Sequence, residues 1–133
     1  MFLDTTFCVD LMREQRRGER GPATVRLEQM GGVPLFLSIF VLCELQAGAR
    51  LSANPQREMH RVEVFAEMTE VVLPQRGFDV LYGEAESELR RQGASIGTMD
   101  LLIGVAAKGM GMPLLTRNAE HFERIPGLVV ETY

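Results

Sequence analysis

The chain has little of what several common functions require. Its 133 residues include two cysteines, Cys8 and Cys43, with apolar neighbours and no metal-ligand spacing. That argues against a zinc module and a disulfide framework, and both thiols are expected reduced in the core of a cytosolic protein. Histidine is also scarce, with only His60 and His121. A metal-free ribonuclease built on paired histidines is therefore disfavoured. His60 is expected on an exposed helix, and His121 is expected packed or solvated. Positive charge is not in excess. The net charge of −4 argues against a non-specific nucleic-acid coat protein. Long apolar runs are missing, and the longest, "PLFLSIFVLC", is far too short for a bilayer. No basic region precedes an apolar stretch at the N-terminus, so no signal peptide and no membrane partner are expected. Repeats and low-complexity tracts are absent.

What is present is ordinary for a soluble domain, with 46% hydrophobic and 24% charged residues, and residues 1–133 are read as one domain. Met1 to Leu3 open like an inner strand. "VPLFLSI" (33–39), "EVVLP" (70–74), "MPLLT" (112–116) and "GLVVE" (127–131) read as buried strands. Between them lie helical patterns. Residues 57–69 put Met59, Val62, Phe65 and Ala66 on one face, and 78–92 end at Gly93, a natural helix stop. A further helix spans about 98–108, with Thr98 as its expected cap. Strands alternating with helices give an α/β sandwich with a central, mostly parallel sheet flanked by helices.

Four polar residues sit at element ends. Asp4 follows the first strand, Glu44 lies in the apolar helical stretch "LCELQAG", Asp100 opens the third helix, and Asn118 follows the fourth strand in "LLTRNAEHF". Each has a structural explanation: a helix cap for Asp4, rim solvation for Glu44, helix-dipole pairing for Asp100 and turn chemistry for Asn118. Taken together they point to one crevice at the carboxyl ends of parallel strands. Clustered carboxylates repel and call for a hard cation such as Mg²⁺ or Mn²⁺. The arginines Arg13, Arg16, Arg17 and Arg20 read as a solvated helix face or, alternatively, as phosphate contacts.

Three stretches carry a resemblance. "FLDTTFCVDLM", "LSIFVLCELQAGA" and, most specifically, "LRRQGASIGTMDLLIGVAAKGMGMPLLTRNAEHFERIPGLVVE" make the chain similar, end to end, to PIN-domain ribonucleases of the VapC toxin type. The resemblance implies a PIN-like three-layer sandwich and a Mg²⁺- or Mn²⁺-dependent endoribonuclease that uses water to cut RNA. It places Asp4, Glu44 and Asp100 on the metal and Asn118 at a fourth, often acidic, position. Thr6, Thr116 and Glu120 would lie around them, touching metal water or substrate, with Glu120 as a possible source of the charge that Asn118 lacks. It also implies a cognate VapB-like antitoxin, RNA as substrate, a homodimer and a cytoplasmic setting. Met59 to Phe65 offers a candidate dimer face, with core burial as the alternative.

Departures from the family pattern are the neutral Asn118, Val41, which stands where a small hydroxyl residue is common, and "YGEAESELRRQG", which lacks an arginine often present in that helix. Asn118 keeps a second reading open, a catalytically weak or silent PIN fold that acts as an interaction module. A haloacid-dehalogenase-type phosphatase fails because Thr6 stands where its second Asp belongs, and a receiver domain lacks its late-strand lysine. Relief of carboxylate repulsion further suggests that Asp4→Ala would leave the fold intact or slightly firmer.

Overall fold

The computed structural model describes residues 1–133. Five strands form one sheet: β1 (Phe2–Leu3), β2 (Phe36–Ser38), β3 (Glu70–Val72), β4 (Leu114–Leu115) and β5 (Val130–Glu131), in the order β3-β2-β1-β4-β5. Every pairing is parallel, with Phe2 opposite both Phe36 and Leu114. The expected mostly parallel sheet is thus wholly parallel. Its two central strands read as continuous apolar runs for the usual reason, burial on both faces. Phe2, Leu3, Leu114 and Leu115 have no exposed surface.

Seven helices surround the sheet: α1 (Thr5–Arg17), α2 (Pro22–Met30), α3 (Ile39–Arg50), α4 (Pro55–Glu67), α5 (Phe78–Arg91), α6 (Thr98–Gly109) and the short α7 (Ala119–Phe122). The strands are shorter than the apolar runs that announce them. In "VPLFLSI" the ladder stops at Ser38, whose hydroxyl accepts the N–H of Val41 and starts α3 inside the same run. Helix α4 begins at Pro55 with Asn54 as its cap, two residues ahead of the expected start. Gly93 takes the left-handed conformation past α5, as its position predicts. Thr98 does not cap α6: Gly97, in extended backbone, is the cap, and Thr98 is the first helical residue. Val62 and Phe65 lie in the core, which removes most of the expected dimer face on α4. Cys8 is buried as expected, and burial followed by the Asp4 charge pushes its thiol well above the usual range. Cys43 is a correction, because it is exposed. On α3 the buried positions are Val41, Leu45 and Ala49, and a residue two places from Val41 falls on the far side of a 3.6-residue helix.

Helix α2 has no counterpart in the sequence reading. It lacks a capping side chain of its own. The cap comes from α1 instead, where Glu14 accepts the N–H groups of Ala23 (3.1 Å) and Thr24 (2.7 Å) and the Thr24 hydroxyl (2.7 Å). Gly21 makes room for this, since a Cβ there would collide with the Glu14 carboxylate. Burial works to raise the Glu14 pKa, but the Thr24 and Ala23 hydrogen bonds and Arg13 outweigh it and leave it lowered.

Replacing Glu14 with Gln, or Gly21 with Ala, should therefore destabilise the fold by about 1–2 kcal/mol, the typical worth of a cap or of a charged buried hydrogen bond. Because the folded pKa is depressed, the Glu14 contribution is complete above the ordinary glutamate pKa. It disappears as pH falls through the lowered folded value. Thermal melts from neutral to acid pH check this, and the wild type and Glu14→Gln curves should converge at the acid end.

Candidate active site

Asp4 is the first residue after β1 and the N-cap of α1. It is 3% exposed. Its Oδ2 accepts the Thr6 N–H (3.3 Å), the Thr6 hydroxyl (2.7 Å) and the Thr116 hydroxyl (2.7 Å). Thr116 lies one residue past β4 and is fully buried, so Asp4 joins the ends of two neighbouring strands to the start of a helix. Both readings of Asp4, cap and site residue, describe the same carboxylate.

The other acids connect to it through short links. The Thr5 hydroxyl donates to Glu44 Oε2 at 2.5 Å and so ties α1 to α3. Asn118 donates its backbone N–H to the Thr116 hydroxyl at 2.9 Å. The Asn118 amide lies 2.8 Å from His121 Nδ1, which in turn lies 3.0 Å from Asp100 Oδ2 in the first turn of α6. A carboxylate can only accept, so Nδ1 carries the proton. The Asn118 side-chain nitrogen faces the same ring atom. The result is a continuous array from Glu44 through Thr5, Asp4, Thr116, Asn118 and His121 to Asp100.

Asp4, Glu44, Asp100, Asn118, Thr6 and Thr116 all belong to this end of the sheet. Glu120 does not join them. It is 83% exposed, and its carboxylate pairs with Arg124, one helical turn along from it. The place expected of it beside Asn118 is held by His121, which had been assigned to packing or solvent. A signal for His121 was available in "NAEH", because i and i+3 meet on a helical turn. Its contact with Asp100 across 21 residues left no local trace.

The array is linked without being a closed cage, since no three acidic, histidine or cysteine side chains are grouped to hold an ion between them. Its donor chemistry nonetheless suits a hard cation. Asp4 and Glu44 are held only by neutral hydroxyl and amide donors, and one oxygen of Asp4, Glu44 and Asp100 each takes no protein hydrogen bond. Those are the oxygens a divalent ion would use.

Compared with known proteins, residues 1–128 match the model of the PIN domain. Two relatives are the tRNA(fMet)-specific endonuclease VapC of Shigella flexneri, 30% identical over 98% of this chain and 96% of that protein, and Ribonuclease VapC2 of Rickettsia felis, 33% identical over 74% of each. A similar solved structure is VapBC2 from Rickettsia felis bound to a DNA fragment from its promoter. The fit has a TM-score of 0.88 and 28% identity, and covers 99% of this chain and 97% of that one.

The geometry reverses one expectation drawn from carboxylate repulsion. Asp4→Ala removes a helix cap and leaves the buried Thr116 hydroxyl without its acceptor, at a cost of roughly 2–3 kcal/mol. Asp4→Asn keeps an acceptor oxygen and should lose less than half of that. Chemical denaturation of both variants in EDTA checks the order.

Proposed function

The chain belongs to the PIN-domain family, in its VapC branch, and on that footing we propose that it is a Mg²⁺- or Mn²⁺-dependent endoribonuclease, the toxin of a type II toxin–antitoxin pair. The observation that carries this is the set of three carboxylates, Asp4, Glu44 and Asp100, each with an oxygen left free and all tied into one array at the carboxyl ends of the sheet. These three would hold the ion. When bound, such an ion lowers the pKa of a water and offsets the charge that develops on the leaving oxygen of a phosphodiester.

The protein's own part is positioning. Thr6 and Thr116 hold Asp4 in one rotamer, Thr5 does so for Glu44, and His121 fixes Asp100 by donating from Nδ1. Partners of this kind orient ligands and tune them. Asn118 brings an amide where a charge is common, so a second ion would be held weakly until substrate phosphate arrives.

A VapB-like antitoxin is the proposed partner. Support comes from the VapBC neighbour and from a cavity of about 280 Å³ between α1, α3 and α4, whose wall joins the apolar Val9, Met12 and Leu45 to the acids Glu44 and Glu58 and the arginines Arg13 and Arg16. An apolar segment carrying an arginine that reaches Glu44 fits this lining. A homodimer is proposed as well. What supports it is uncovered apolar surface at the β3–α5 edge, where Leu73 is 62% and Val80 57% exposed. No helix is long and apolar enough to cross a membrane, in keeping with a cytoplasmic setting.

Asp100→Asn should reduce RNA cleavage by about 100-fold or more with an unchanged melt, and His121→Ala by about 10-fold, the range typical of removing a partner that orients a ligand. Cleavage of a labelled single-stranded RNA with Mg²⁺ and with EDTA checks both. Full activity in folded Asp100→Asn would overturn the metal-site assignment, whereas a folded wild type that cuts no RNA under any divalent ion would favour the silent interaction module instead. A separate expectation concerns Asn118→Asp, which adds a negative charge beside His121 and the proposed second ion. It should lower the Mg²⁺ concentration for half-maximal cleavage, as a Mg²⁺ titration of initial rates would show.

A further inference from the structure

Asp10 is a second buried acid on α1, outside the array described above. It is 4% exposed. Three groups close on its carboxylate: Arg13 donates to Oδ1, Arg117 Nη1 forms an ion pair with Oδ2 at 2.7 Å, and the Tyr133 hydroxyl donates to Oδ2 at 2.8 Å. An isolated buried carboxylate is costly, and one guanidinium would answer its charge. The second guanidinium leaves the cluster with a net positive charge. The Tyr133 phenol adds no negative charge, because burial and then the Asp10 hydrogen bond and charge push its pKa well above the usual range.

The guanidiniums themselves face solvent. Arg117 is 60% exposed and Arg13 42%. A guanidinium offers five N–H donors, and each of these spends only one nitrogen on Asp10. Their positions matter more than their exposure. Arg117 directly follows Thr116, and its backbone N–H donates to the Thr6 hydroxyl at 3.1 Å, so it is anchored to one of the two hydroxyls that hold Asp4 and adjoins the residue that carries the other. Arg13 lines the same cavity as Glu44. Two fixed cationic forks therefore flank the carboxylate array, in a chain whose net charge of −4 would otherwise repel a polyanion from it.

We propose that Arg117 and Arg13, pinned by the buried Asp10 and Tyr133, form a phosphate subsite that holds the RNA strand beside the bond to be cut. This rests on the nuclease reading and adds to it the residues that grip substrate. Arg117 and Arg13 touch the strand. Asp10 is a positioning residue that acts through them by removing rotamer freedom from two long side chains before RNA arrives.

The test separates grip from chemistry. Binding of a fluorescein-labelled single-stranded RNA is measured by anisotropy in EDTA across a KCl series, for the wild type, Arg117→Gln, Asp10→Asn and Arg91→Gln, the last an exposed arginine of α5. Steady-state cleavage is measured in parallel with Mg²⁺. Arg117→Gln should reduce the slope of log affinity against log salt by about 1, as expected for one lost phosphate contact. It should raise KM several-fold while kcat stays within about twofold, the signature of lost uniform binding. Asp10→Asn should show the same pattern, and Arg91→Gln should match the wild type. Arg117 is exposed enough for its variant to decide the matter alone, whatever Asp10→Asn does to the fold. If Arg117→Gln and Arg91→Gln share one slope and one KM while the wild type cuts RNA, the subsite is refuted and the nuclease reading survives. If the wild type binds RNA with the Arg117-dependent slope yet cuts nothing under any divalent ion, the subsite stands and the nuclease reading falls.

Discussion

The Asp4 carboxylate receives two hydroxyls and a backbone N–H at 3% exposure, and in doing so joins β1, α1 and β4. Removing a charge from water costs several kcal/mol unless hydrogen bonds replace what water supplied. Here every replacement is neutral. The donors satisfy one oxygen and leave the charge itself unanswered, and that is the condition under which a bound cation gains most. The parallel order of the sheet then decides which other residues share the neighbourhood. Thr116 and Asn118 follow β4, and Glu44 comes from the helix that follows β2; β1 pairs with both strands.

Two more buried acids on α1 show how different donors lead to different roles. Glu14 faces the start of α2, where backbone N–H groups and the helix dipole stabilise its negative charge, so it serves stability. Asp10 meets two arginines and a phenol, so its charge is more than compensated and the surplus is positive. Asp4, unlike Asp10, has no ion-pair partner. Sequence position does not separate Asp10 from Glu14, which lie one turn apart on the same side of the helix. The identity of the donors does. On the proposed reading, it is the donors that leave Asp4 suited to a divalent cation and give the Asp10 cluster a surplus of positive charge for phosphate oxygens.

Much of this end of the molecule was legible in the sequence, for physical reasons that can be stated. Strands buried on both faces leave uninterrupted apolar runs, so the central strands at Phe2 and Leu114 were visible, and the acids that follow them stand out against those runs. Glu44 was visible as a charge among Leu42, Cys43 and Leu45. What escaped detection depends on contacts between distant residues. Helix α2 begins where Glu14 reaches it from another helix, and no local capping residue marks the place. His121 meets Asp100 only after α6, β4 and α7 have folded back on one another. Arg117 meets Asp10, 107 positions earlier, only in the folded chain, where Tyr133 reaches the same carboxylate. Gly104 belongs with these, since a Cβ there would collide with Ile125 of the segment after α7, and the sequence offers no hint of that close approach.

The central claim, a proposal, is that a divalent cation would draw Asp4, Glu44 and Asp100 together as one site. The most direct measurement is calorimetric titration of Mn²⁺ into the metal-free protein, without RNA, for the wild type and for Asp100→Asn with matched melting temperatures. The account predicts saturable binding by the wild type that is lost in the variant. Equal Mn²⁺ binding by the two proteins would contradict it, because the ion would then be held somewhere other than the carboxylates at the end of the sheet.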